Sequence, residues 1–269
     1  MFVPLGSPTF RSMFLSRIVI YPIKSLDGVG VRSARITSAG ILEHDRVYAI
    51  MDAEGRVVNG KRTDRVHQIR CEYSEDFAEV RVWTADNPRP ATFAFADPDP
   101  LEAWLGRVFE FPVHLTASHD SGFPDDMAAS GPTLTSEASL AEVAGWFPEL
   151  ASAGMRARFR ANLELGGCEA FAEDRLFGQD PEPKAFRIGA VRMLGHNPCQ
   201  RCVVPTRDPA SGERAAMFQK RFAEKREKSL PLWAARERFN HYYRFALNTS
   251  VPASEAAKVL TIGAPIEID

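Results

Sequence analysis

Short β-branched and aromatic runs alternate with Gly, Pro and Asp clusters through the first third of this chain. Phe14 to Tyr21 (FLSRIVIY) reads as a strand and ends at Pro22-Ile23-Lys24-Ser25. Gly28 to Gly30 reads as a turn, and Val31 to Ile36 alternates apolar and polar residues like a half-buried strand. Asp45 to Ile50 is a third run, Asp52 to Gly55 a hairpin-type turn, and Arg56 to Val58 a fourth run. Cys71 to Tyr73 and Ala78 to Thr84 add two more. Segments this short and this closely punctuated cannot be helices, and they predict a sandwich or barrel.

The remainder is more mixed. After Asp97-Pro98-Asp99-Pro100, the residues Leu101, Trp104, Leu105 and Val108 recur at helical spacing. Ser118 to Ala128 carries Gly122, Pro124 and adjacent aspartates, and reads as a linker or long loop. That predicts domains at residues 13–120 and 128–269. Thr133 to Phe147 predicts a helix capped by Thr135 or Ser136, with Leu140, Val143 and Trp146 on its apolar face. Phe159 to Leu165 and Ala185 to Leu194 read as strands, the second one central. Met217 to Lys228 reads as a charged segment with Phe218 and Phe222 on one helical side. Tyr242 to Leu247 and Val259 to Ile268 close the chain as strands. The expected class is mainly β with several helices.

Composition excludes several functions. A formal net charge of −2 gives no support for a nucleic-acid surface. Four cysteines in 269 residues are too few for a disulfide scaffold, so the thiols read as reduced and the protein as cytoplasmic. Met1 to Ser12 lacks the basic and apolar regions of a signal peptide, and the strand pattern begins at Met13. No apolar run approaches the roughly 18 residues of a membrane span.

The stretch with the most chemistry is Gly195-His196-Asn197-Pro198-Cys199-Gln200-Arg201-Cys202. Pro198 predicts a turn there, presenting two thiols and an arginine on a loop. The pair Cys199 and Cys202 has several readings: half a zinc site, a dithiol redox pair, one thiolate ligand beside a bystander, or two inert buried cysteines. A zinc site needs four ligands, and Cys71 and Cys168 lie far away in sequence. A dithiol pair of the thioredoxin kind sits at a helix start, whereas Pro205 and the Asp208 to Glu213 turn come next here. Lys24, Arg46 and Arg160 are each ordinary surface charges in isolation. Together they suit a phosphate or another polyanionic head group, with lysine as a point charge and arginine as a planar clamp. There is no glycine-rich phosphate loop, no His-Glu-x-x-His and no Gly-x-Ser-x-Gly.

Eight short pieces in order then carry a resemblance: YPIKSL (Tyr21 to Leu26), Asp45 to Tyr48, SEASL (Ser136 to Leu140), FRAN (Phe159 to Asn162), FAED (Phe171 to Asp174), RIG (Arg187 to Gly189), PCQRC (Pro198 to Cys202) and DPASGE (Asp208 to Glu213). With them the chain resembles MOSC-domain proteins that carry an N-terminal MOSC β-barrel domain, the family of the amidoxime-reducing components and their bacterial relatives. The resemblance implies a MOSC β-barrel of the pyruvate-kinase-barrel type behind an N-terminal β-barrel. It implies a molybdenum cofactor, Mo on the dithiolene of a phosphorylated pterin. Cys202 matches the metal ligand. Lys24, Ser25, Arg46, Arg160 and Asn162 match positions that hold the pterin and its phosphate; Gln200 and Arg201 line the same loop, and Asn248 is added from the C-terminal strand. Cys199 matches a position that is not a ligand.

Two departures stand out. Ala161 replaces the proline usual between Arg160 and Asn162, and Ala246 replaces a glycine after Phe245. The chain is also expected to lack the membrane anchor, ferredoxin domain and desulfurase module attached to some relatives. The implied activity is reduction of N-hydroxylated compounds, with electrons from a separate reductase. The alternative is a cofactor or persulfide carrier using the same Cys202, and a third reading is a MOSC-shaped protein that has lost the cofactor.

Overall fold

In the computed structural model, which describes residues 13–268, the FLSRIVI run forms β1 (Phe14–Ile20). Its register against a later strand slips at Ser16, so Leu15 and Ile18 are both fully buried where strict alternation would oppose them. Residues 1–12, where no signal peptide is expected, lie outside the described residues. The segment expected to be one strand after Gly30 is two, β2 (Val29–Val31) and β3 (Ser33–Arg35). The Gly28–Gly30 stretch is therefore strand entry and not a turn. Gly28 is needed because a Cβ there would stand 2.6 Å from the Tyr21 ring.

An N-terminal unit comes next, made of β4 (Tyr48–Asp52), β5 (Ile69–Tyr73), β6 (Glu79–Thr84), β7 (Ala91–Ala94), α1 (Asp99–Phe109) and β8 (Val113–Ala117). The Arg56–Val58 run contributes only an isolated bridge between Val57 and Met51. The later half comprises β9 (Leu134–Ser136), α2 (Glu137–Trp146), α3 (Met155–Phe159), β10 (Leu163–Gly166), β11 (Lys184–Ile188), β12 (Val191–Gln200), α4 (Phe218–Lys228), β13 (Arg244–Ser250), β14 (Val259–Thr261) and β15 (Ile266–Ile268). Ser136 caps α2 by accepting from the Ser139 N–H, as expected. The Phe159–Leu165 stretch is only half strand: Phe159 ends α3, Arg160 turns the chain, and β10 starts at Leu163.

Eight strands form one sheet in the order β15-β11-β12-β13-β9-β10-β1-β2. Backbone bonds Leu15 N–H to Ala264 O (2.9 Å), Gly263 N–H to Leu15 O (2.7 Å) and Ile266 N–H to Met13 O (2.9 Å) join β1 to the start of β15 and close a barrel. Its interior holds Ile18, Leu134, Leu163, Phe186, Met193 and Leu247, all fully buried. A second core, with Phe159, Phe218, Phe222 and Phe245, packs α2, α3 and α4 on the outside. Each such buried ring stabilises by about 2–3 kcal/mol.

The sheet does not divide at the expected linker. The first strands, from the stretch assigned to residues 13–120, complete the barrel of the later half, and β3 pairs with β14. Sequence neighbours can join distant strands because ladder bonds are made by backbone alone, which the pattern of side chains does not reveal.

Candidate functional site

A cleft of about 1180 Å³ lies where barrel and N-terminal unit meet. Eleven basic and six acidic side chains line it, a positive excess in a chain whose formal charge is −2. The expected site residues Lys24, Ser25, Arg46, Arg160, Gln200, Arg201, Cys202 and Asn248 all line this one cleft.

The cysteine wall is built by β12 and the two residues after its end, Arg201 and Cys202. The turn expected at Pro198 is absent: β12 runs on to Gln200. Its partner β11 pairs only as far as Gly195, so one strand edge is free at Pro198 and a missing N–H is tolerated there. Two register slips against β13 bracket this stretch, one at His196 and one opposite Cys199. Bulges re-aim side chains, and Asn197, Cys199 and Gln200 all line the cleft. The second bulge includes Ala246, which adopts a left-handed φ of 69°. Alanine thus takes the conformation glycine would adopt without strain.

Cys202 is partly exposed at the end of this wall, and arginines bracket it. Arg201 Nη2 donates to Phe159 O (2.8 Å) and its Nη1 to Cys199 Sγ (3.2 Å). Arg158, fully buried, donates from Nη1 to Pro205 O (3.1 Å) and Arg207 O (2.6 Å), downstream of Cys202. The two arginines tie the cysteine segment to the end of α3 from both sides. Among the described residues no group of three or more His, Cys, Asp or Glu could hold a metal, so a zinc reading lacks ligands. Cys199 lies in a strand and not at a helix start, which also removes the thioredoxin-like setting. Elsewhere burial pushes the Cys71 thiol up to about 12 and that of Cys168 to about 11, as for inert cysteines.

The opposite wall carries Lys24, Arg46 and Arg160. Ser25, Arg46 and Arg160 have φ of 78°, 51° and 53°. Left-handed non-glycine residues are uncommon, and their clustering marks a site where geometry is held at a cost of order 1–3 kcal/mol each. Arg160 caps α3 and reaches across to Leu26 O at 2.5 Å. Its guanidinium sits 4.2 Å from the Tyr21 ring centre, and that of Arg46 approaches the same ring at 5.6 Å. Arg46 Nη1 pairs with Asp45 and donates to Asn162 Oδ1 (3.1 Å). Lys24 Nζ meets Asp125 Oδ1 at 2.8 Å. Burial would raise the Asp125 carboxyl, but Lys24 and Arg46 outweigh it and hold it at about 2.

Asn162 stands apart from its expected neighbours. It is fully buried behind the cleft and does not line it. Its Nδ2 donates to Val19 O and Asp45 Oδ1 (both 3.0 Å), and its Oδ1 accepts from Arg46 and from Thr133 N–H (3.3 Å). An amide has two donors and two acceptor sites, so no capacity is left for a ligand. Asn162 holds Arg46.

Family models agree with this architecture. The MOSC N-terminal beta barrel domain matches residues 12–103 and the MOSC domain matches residues 130–263. The chain belongs to the MOSC-domain family. Among curated relatives, it is 24% identical over 239 residues to mitochondrial amidoxime reducing component 2 of Bos taurus, covering 74% of this chain and 67% of that one. It is 26% identical over 236 residues to mitochondrial amidoxime-reducing component 1 of Homo sapiens, with the same coverage. These matches support a molybdenum-cofactor-related, oxidoreductase-like role for this MOSC protein. No helix among the described residues is long and apolar enough to cross a membrane.

Sequence reasoning missed Arg158, His67, Arg70 and Asp125. Arg158 lies two residues before Arg160, and that spacing in RARFRAN was a readable signal. His67 and Arg70 flank the start of β5 and reach the cleft only through packing of the N-terminal unit. Asp125 was hidden in the supposed linker.

Proposed function

We propose that the cleft holds the molybdenum cofactor, with Cys202 as the protein thiolate on the metal, and that the protein reduces N-hydroxylated compounds. One observation carries this reading: the part-exposed Cys202 thiol shares a cleft with the Lys24, Arg46 and Arg160 cations. The donor set fits the group. A single soft sulfur suits a molybdenum whose other sulfurs come from a dithiolene, and the positive excess suits a phosphorylated pterin. The buried Arg201 Nε, without a protein partner, leaves a further donor beside the cysteine.

Lys24, Ser25, Arg46 and Arg160 bind the phosphate and pterin from one wall; Gln200, Arg201 and Asn248 line the other. Arg158 and Arg201 hold the segment that presents Cys202. Asn162 acts behind them by fixing Arg46. When bound, the cofactor supplies two-electron chemistry at the metal. The overall reaction breaks an N–O bond, consumes two electrons and two protons and releases water, with electrons drawn from a separate reductase.

Molybdenum and released pterin measured in protein from a molybdate-fed host test the assignment. Stoichiometric molybdenum in the parent, lost in Cys202→Ser, is the expected result. Neither molybdenum nor pterin in the parent, from a host shown to make the cofactor, would sink it. Cofactor bound without turnover on an N-hydroxylated substrate and artificial electron donor would favour a carrier.

A further inference from the structure

Lys24 has no donor left for a ligand. Its ammonium contacts Phe123 O at 2.8 Å, Pro124 O at 3.2 Å and Asp125 Oδ1 at 2.8 Å, and an ammonium has three N–H bonds. These partners are consecutive residues of a segment, 118–131, that contains no helix or strand. Both ends are pinned. Ser118 N–H donates to Val47 O (2.8 Å), Phe123 N–H to Arg46 O (2.9 Å) and Gly131 N–H to Thr249 O (2.9 Å). Gly131 permits this approach, since a Cβ there would lie 2.8 Å from Thr249 O. Between the anchors the strap reaches both walls, because Asn248 Nδ2 approaches Asp126 Oδ2 at 3.4 Å. The Asp125 side chain is 68% exposed while that of Lys24 is 11% exposed. The carboxylate thus plugs a buried cation from the solvent side.

A ligand that binds Lys24 through its charge must exchange with that carboxylate. For a singly charged anion the exchange is nearly even. A doubly charged phosphoryl group gains, because attraction scales with the product of charges. We infer that Asp125 is a specificity-determining residue, a built-in counter-anion that a dianionic phosphoryl ligand displaces from Lys24 and a monoanion does not. The inference rests on the reading of the cleft as a site for a phosphorylated ligand. Because Lys24 and Arg46 hold the Asp125 carboxyl at about 2, the plug stays charged at neutral pH.

Isothermal titration of the full chain, free of cofactor, tests it at pH 8 with inorganic phosphate and with the monoanion dimethyl phosphate. The parent is expected to bind phosphate and not dimethyl phosphate. Asp125→Asn should bind phosphate roughly fivefold tighter, the scale of one exposed ion pair, and should now take dimethyl phosphate. Asp125→Glu should restore the parent's selectivity, and in a Lys24→Met background Asp125→Asn should give no gain. Unchanged or weaker phosphate binding in Asp125→Asn, with the parent binding normally, overturns the inference alone. No phosphate binding in the parent or any variant overturns it together with the reading of the cleft.

Discussion

At the cysteine wall the shortest hydrogen bonds of Arg158 and Arg201 go to backbone carbonyls, with the Asp208 carboxylate only at 3.5 Å from Arg158 Nη2, whereas at the opposite wall Lys24 and Arg46 pair closely with carboxylates. Both walls are cationic, but they differ in what could replace the partner. A backbone carbonyl cannot leave, so Arg158 is structural: it is 1% exposed and fastens the chain downstream of Cys202. Two of the three Lys24 contacts are carbonyls as well, but the third is a side-chain carboxylate on a strap that can move aside, so one Lys24 donor is exchangeable. Counting positive residues in a cleft therefore overstates its ligand-binding capacity; the partner of each charge decides.

That contrast can be broken by mutation. Arg158→Ala leaves buried carbonyls without donors and a void beside Phe218, and should cost about 3 kcal/mol or more in urea unfolding. Lys24→Met should cost less, about 1 kcal/mol, because the exposed Asp125 carboxylate can turn to water and water can reach the half-buried Phe123 and Pro124 carbonyls. Equal losses at the two sites would erase the distinction. Asn162→Ala sits between them. It removes one hydrogen bond from Asp45 and one from Arg46, which still pair with each other, and an expected loss of about 2 kcal/mol should come with weaker phosphate binding. A loss of stability with unchanged phosphate affinity would show that Arg46 does not depend on it.

A further effect concerns pH. Burial, reinforced by Arg160, Arg207 and Arg70, lowers His67 to about 4 from an ordinary value of 6.5. The folded chain therefore binds fewer protons at this ring than the unfolded chain between those values. Stability from this group is present above about 6.5 and is lost as pH falls toward 4. Urea midpoints from pH 7 to pH 4 should fall less steeply in His67→Gln than in the parent. An identical slope would place the proton uptake elsewhere.

The strand-rich class was readable because β-branched runs and turn residues act locally. The same holds for the α2 cap at Ser136 and the helical spacing of Leu101, Trp104 and Leu105, each confirmed in place. Two local rules failed where a neighbour overrode them. Pro198 did not break β12, because the strand edge beside it has no partner to need its N–H. Phe159 did not open a strand, because it packs among Phe218, Phe222 and Phe245 as the end of α3.

The candidate site was legible as a set of residue types at matching positions, and eight of the nine named side chains line one cleft. What the residue string determined alone was chemistry: a thiol beside an arginine, separate cations suited to a phosphate, and no phosphate loop. Only the tertiary structure decided which of those groups are free to act. It turned Asn162 inward as a support for Arg46, made Arg158 a clamp, and placed Asp125 of an apparent linker on Lys24. The reason is that a polar group's partner is set by what lies within about 3 Å in space. Here those partners come from as far away as residues 24 and 125, or 46 and 162, and no local pattern records such pairs.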